Sequence, residues 1–313
     1  MRLLPLLVLL ALPALLPSCA GTGSADKAKT DAGQAKPDPE PFAEQAEKNR
    51  KIEPIGKYLA DLDNSMRAWT RLHMTAATAD ERKKARLLEL NIATRAHQRR
   101  SEITEQLVTG PLANRVIAAS ALGFTRDAEA QSPLLSALED SSQDVVANAL
   151  LGLMLLGRSD TPLDRICDLA RTSSDAGVRT NAMQCLASLV QAGAQADCAV
   201  GTARLGLSDT EPAVRAHSAL LLGELEDTES VQVLIDTVQD TVPLVSSAAL
   251  RSIVWIGRQQ GSVKGRIARA LLELHENAKS SQKNQYRRAL VELAGIDYGN
   301  DTKEWTDWAS RLP

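Results

Sequence analysis

Apolar and polar positions divide the chain into stretches with different periods. An apolar run extends from Leu3 to Leu16, behind the single charge of Arg2. From Ala20 to Pro41 there is no Val, Ile, Leu, Met or aromatic residue, so this stretch has nothing with which to build a core. Ile55, Tyr58, Leu59, Leu62, Met66, Trp69 and Leu72 then fall at helical spacing. A second helix is expected from about Ala79 to Val108, ending at Gly110-Pro111.

Beyond Pro111 the pattern repeats. With position zero at Asn114, Val145, Val178, Val214 and Val245, the spacings are 31, 33, 36 and 31 residues. Four places on stand Ala118, Ala149, Ala182, Ser218 and Ala249; eight places on stand Leu122, Leu153, Leu186, Leu222 and Ile253. A sixth copy starts at Gln285 and has Ala289 and Leu293 at the same offsets. Offsets of zero, four and eight lie within about 80° on a helix, which makes one buried stripe with a small residue at its centre. Five places before zero stand Asp140, Asp209 and Asp240, with Thr109 and Ser173 in the other copies, residue types that cap or turn a chain into a helix. Shorter apolar segments precede them at 133–139, 162–171, 196–207 and 230–239. Each unit therefore reads as helix A, tight turn, helix B.

Residues 100–295 resemble the HEAT-repeat family, including its bacterial lyase-like branch, and Val214-Arg215-Ala216-His217-Ser218-Ala219-Leu220-Leu221-Leu222-Gly223 carries the likeness best. The resemblance implies an all-α superhelix, a HEAT-type solenoid of about six helix pairs, here preceded by a helical hairpin. It also implies that Arg115, Arg179 and Arg215 bridge neighbouring repeats; Val146, Ser246 and Tyr286 interrupt that ladder. The tail from Leu293 to Asp301, followed by Trp305 and Trp308, looks like a closing element, with the two Trp covering the last open face. The expected organisation is a signal peptide at 1–18, a lipidated Cys and disordered tether at 19–41, and a helical hairpin merging into the first repeat at 42–110. HEAT-like repeats follow at 111–295 and a cap at 296–313.

The amino terminus reads as a secretory signal: a charged start, an apolar run too short to span a membrane, and a small-residue exit. Leu16-Pro17-Ser18-Cys19 resembles a bacterial lipobox, in which cleavage leaves a lipid-bearing Cys19. The alternative is ordinary cleavage within Ser18-Cys19-Ala20. Ala20, rather than Asp, after the Cys resembles an outer-membrane sorting signal. The following 22 residues would span about 26 Å as a flexible tether.

Charge and composition narrow the partners. A net charge of −3 and only 3% aromatic residues give no reason to expect nucleic acid. The scarcity of rings suits helices packed through Ala, Ser, Val and Leu. Tyr58 and Trp69 precede the repeats and Tyr298, Trp305 and Trp308 follow them, as if rings gather at the ends. Residues 80–100 hold seven Lys/Arg against three Asp/Glu, either a solvated helix face or a contact for anionic lipid headgroups or an acidic partner.

Candidate chemistry is sparse. Cys167 and Cys185 read as small core residues and Cys198 as more accessible; a disulfide is open to an exported chain, but the connectivity is not deducible. No pair has metal-ligand spacing. His275-Glu276 is a single His-Glu dipeptide, too few for the di-iron ligand set of a HEAT-fold hydroxylase, and there is no phosphate loop or nucleophile elbow. The expectation is therefore no enzyme, no cofactor and no metal. What remains is an interaction scaffold in the bacterial cell envelope, lipid-anchored through Cys19, with the outer membrane facing the periplasm as the favoured location and unidentified protein partners on the solenoid surface. Offsets of two and six on helix B point away from the buried stripe, which makes Thr180, Gln184, Ser247 and Arg251 candidate contact residues, beside exposed Leu151 and Leu220. The alternatives are a lyase-like HEAT enzyme handling a covalently attached ligand, and a structural envelope protein contacting lipid or cell wall.

Overall fold

The computed structural model describes residues 53–299 and 302–313; the expected signal peptide, Cys19 and the tether lie outside the described residues. Fifteen α-helices and no strand occur among the described residues. Helices α1 (Ile55–Thr75) and α2 (Ala79–Gln98) form the leading hairpin. Six pairs follow: α3 (Arg100–Thr109) with α4 (Leu112–Phe124), α5 (Gln131–Ser136) with α6 (Gln143–Leu156), and α7 (Asp164–Thr172) with α8 (Ala176–Gln191). The later three are α9 (Ala199–Gly206) with α10 (Pro212–Glu224), α11 (Val231–Thr237) with α12 (Pro243–Gln259), and α13 (Gly261–Asn277) with α14 (Ser280–Ala294). Helix α15 (Thr302–Ser310) closes the carboxyl end. The second member of each pair packs on the second member of the next, giving a B layer covered by the A helices.

The repeated stripe is the core of that B layer. Every zero, four and eight position of the first five copies is buried except Asn114, which is half-buried. Small residues bring the B helices close. A Cβ on Gly123 would stand 2.4 Å from the Gly152 carbonyl oxygen, and one on Gly152 would stand 2.4 Å from the Ala119 oxygen. Pro212 and Pro243 open α10 and α12, where a missing N–H costs nothing.

The second expected helix is broken. Arg99 leaves helical geometry (φ −119°, ψ 26°) and separates α2 from α3, although no Gly or Pro marks the place. Its guanidinium donates to the Glu53 carbonyl and to Glu102, and it lies 4.6 Å from the Tyr58 ring, with Arg95 at 4.9 Å. These long-range contacts, invisible to periodicity, hold the bend and turn α3 into the A helix of the first pair. At the far end Trp305 is buried and Trp308 half-buried. Trp305 meets Tyr298 edge-on at 5.0 Å and donates to the Gly299 carbonyl.

The joints between repeats carry a regular polar code. Arg115 reaches Asp140, Arg179 reaches Asp209 and Arg215 reaches Asp240, each with two nitrogens on two carboxylate oxygens. Each Asp also accepts from the backbone N–H two places on (Ser142, Glu211 and Val242), so the Asp shapes the turn while the N-cap itself falls on that later residue. Arg and Asp disappear together: where Val146 and Ser246 replace Arg, Ser173 and Ser280 stand in place of the next Asp. A second row of ties links A helices. Arg100 binds Asp127 and Glu129, and Arg204 binds Asp227 and Glu229. At the equivalent joint between the third and fourth pairs a disulfide joins Cys167 of α7 to Cys198, the N-cap of α9. This corrects the reading of Cys167 as a simple core residue; Cys185 is the free, buried thiol. The bond falls at the joint where the repeat spacing is 36 residues, spanned by the seven-residue connection 192–198.

Two outcomes follow from close packing and paired joints. Gly152→Ala gains roughly 1 kcal/mol of helix propensity but places a methyl against backbone, so a net loss of about 1–3 kcal/mol is expected in urea unfolding. An unchanged or raised midpoint would contradict the close approach. The Asp carboxyls are all held below the ordinary carboxylate value. At Asp209 and Asp240 the Arg bond is the main cause; at Asp140 burial pushes the other way and is outweighed by Arg115 and the Ser142 N–H. Lowered carboxyls stabilise the fold above the unfolded value of about 3.9 and lose that contribution as pH falls through their folded values. Asp209→Asn should therefore unfold earlier than wild type at pH 7, with the gap closing toward pH 2. A gap that persists at pH 2 would rule out this linkage.

Candidate functional site

The residues left outside the buried stripe form a strip along the B layer. Thr180 and Gln184 on α8 are half-buried, Ser247 on α12 is exposed and Arg251 is half-buried. Thr180 donates its hydroxyl to Ala176 of its own helix, leaving Gln184 the freer of that pair. The two pairs are not adjacent: α10 lies between them and contributes His217, Leu220 and Glu224 to the strip. Leu151 and Leu220, expected to be exposed, are half-buried and packed against the core, because the neighbouring B helices approach closely enough to shield them.

Polarity concentrates on α10 and α12. Burial pushes the Glu224 carboxyl above its ordinary value, partly offset by the Arg251 charge. Burial pulls the Arg251 guanidinium down, while Glu224 and Glu292 act against it. No hydrogen bond or ion pair at contact distance joins them. Burial also favours neutral His217. One turn beyond Arg251 stands Trp255, half-buried and apart from the hydrophobic core, with no ring contact and no acceptor for its indole N–H among the described residues. A half-desolvated Arg beside a Trp with an unused donor is the combination that dominates protein interfaces. Trp255 is a ring within the repeats, away from those at the two ends. It sits at offset ten, so carrying the two-and-six rule one further turn would have found it.

A shallow hollow of about 370 Å³ lies where α13, α14 and α15 meet, lined by His275, Ser280, Lys283, Arg287 and Trp305 among others. Arg287 is paired with Asp297. Burial, followed by the charge of Lys283, disfavours protonation of His275. No group of three or more His, Cys, Asp or Glu with metal-binding geometry occurs among the described residues.

The family model for HEAT repeats matches residues 101–187 and 203–295. The chain belongs to the HEAT-repeat family. The matched segments break where the Cys167–Cys198 connection interrupts the regular spacing. Among solved structures, the chain is similar to a computationally designed armadillo repeat protein for modular peptide recognition, at 18% identity and a TM-score of 0.46 over 61% of this chain and 98% of that one. A second designed armadillo repeat protein matches at 17% identity and the same TM-score, over 61% of this chain and 98% of that one. No curated protein matches.

As a HEAT scaffold, the molecule carries a charge cost along this strip. A carboxyl with a raised value lowers stability above that value, and the loss vanishes once pH falls below the unfolded value of about 4.3. Glu224→Gln should raise the thermal midpoint at pH 7 and leave it unchanged near pH 4. Equal shifts at both pH values would show that the carboxylate charge is not the cause.

Proposed function

We propose that this HEAT-repeat protein is an exported lipoprotein, anchored through Cys19 at the bacterial outer membrane and facing the periplasm, that holds a protein partner along its B-layer strip. The observation that carries the binding reading is the Trp255–Arg251–Glu224 group: half-buried, close in space and, among the described residues, without a partner for the indole N–H. Gln184 and Ser247 extend the same strip on either side. A disulfide between Cys167 and Cys198 supports an oxidising compartment, in keeping with the lipobox-like Leu16-Pro17-Ser18-Cys19.

A photo-cross-linking residue placed at Trp255 in native cells should give a discrete protein adduct, and one placed at Arg171 on an A helix should not. Arg251→Glu combined with Gln184→Glu should remove the adduct while the fold is retained by circular dichroism. Equal adducts from both positions, or none from Trp255, would overturn the binding reading. Labelled palmitate should enter the wild-type chain and not Cys19→Ser; label in both would overturn the anchor.

A further inference from the structure

The hairpin ahead of the repeats presents a second surface of different chemistry. The inner side of α2 buries Ala85, Ile92 and Ala96. Its opposite side carries Lys83, Leu87, Leu90 and Thr94 at spacings of four, three and four, which is one outward stripe on a helix, with Arg86 beside it. Leu87 is 57% exposed and Leu90 64% exposed, on a helix whose inner face already supplies the core contacts. At the turn end of the hairpin Met74 is 71% exposed.

The charges on α2 are unbalanced in a specific way. All three of its carboxylates are committed: Asp80 pairs with Lys84, Glu81 closes the capping box with Thr78, and Glu89 pairs with Arg126 of the following repeat. Among the described residues no ion pair engages Lys83 or Arg86. Two cations without counter-charges therefore flank two exposed leucines. Such a face matches the boundary of an anionic bilayer, where headgroups meet the cations and the leucines reach the acyl region.

Chain length supports that occupant over an acidic protein. Glu53 starts the described residues at the base of α1, and 33 residues separate it from Cys19. If flexible throughout, a chain of that length would have a root-mean-square span of about 30–35 Å, similar to the length of α2 at 1.5 Å per residue over 20 residues. A lipid on Cys19 would thus hold the whole hairpin within reach of the membrane. A single acyl-anchored point leaves orientation free; a second, electrostatic contact fixes it.

We propose that the outer face of α2, formed by Lys83, Arg86, Leu87 and Leu90, rests on an anionic lipid surface and orients the solenoid relative to the membrane. The proposal rests on the anchored reading above, but its test does not require the anchor. The buried core runs continuously from Tyr58 to Ala309, so the body holds together without the leading residues. The chain starting at residue 19 and carrying Cys19→Ser is mixed with phosphatidylcholine vesicles, with or without phosphatidylglycerol, and sedimented. Binding is expected only with phosphatidylglycerol, and it should weaken steeply as salt rises. Lys83→Gln with Arg86→Gln should weaken it about 30-fold, as expected for two cations near such a surface. Leu87→Ser with Leu90→Ser should weaken it as well. The control, Arg266→Gln with Arg288→Gln at the other end, should leave it unchanged. No binding to phosphatidylglycerol vesicles overturns the proposal, as does equal weakening by the control, which would indicate net charge alone. An α2 cross-link to an acidic protein in cells, without vesicle binding, would assign the face to that protein. Failure here leaves palmitate incorporation at Cys19 unaffected, so the two readings are separable.

Discussion

The spacing between adjacent B helices governs everything else in this molecule. Alanine, serine and glycine at the contact line let the backbones approach until a methyl on Gly123 or Gly152 would strike a carbonyl. At that separation an arginine on one B helix spans to the aspartate at the foot of the next, and side chains at offset six fall half-buried rather than free. Larger residues at offset four would lengthen each step and put Arg179 out of reach of Asp209. The scarcity of aromatic rings and the presence of the ladder thus have one cause.

The joints show how a repeat tolerates irregularity. Arginine and aspartate are kept or lost as a pair, which avoids leaving a half-buried carboxylate without a cation. Where the pair is absent, other contacts cross the joint: Asn181 donates to the Ala147 carbonyl and Arg165 meets Glu139 between the second and third pairs, and Arg258 meets Glu292 between the last two. In the A layer a disulfide occupies the place that Arg100 and Arg204 fill elsewhere. The same mechanical task is met by ion pair or covalent bond.

Much of this was legible in the residues. The stripe at zero, four and eight is a packing requirement repeated in every copy, and its period alone locates the B helices. The bridging arginines followed from the family resemblance. What periodicity missed depended on distant partners. Nothing around Arg99 breaks a helical pattern; the bend exists because Glu53 and Tyr58 are brought there by α1. The Cys167–Cys198 pair could not be chosen from an odd number of thiols without knowing that successive A helices start beside each other. Trp255 was overlooked because ring scarcity pointed to the ends, although its offset places it on the open strip. Thr180, Gln184, Ser247 and Arg251 lie where the offsets put them, but α10 between them supplies the carboxylate and imidazole that single-helix reasoning did not weigh.

The position of the disulfide along the chain has a mechanical meaning. The hairpin lies before it and the Trp255 strip after it, so any pull between those two regions crosses the joint of the third and fourth pairs. Stacked helix pairs yield at their weakest neighbour contact, since each touches only the next. Here the joint between the third and fourth pairs is the one that cannot be drawn apart without breaking a covalent bond. Under tension the solenoid would extend by peeling at its ends while its middle stayed closed, acting as a spring with a rigid centre.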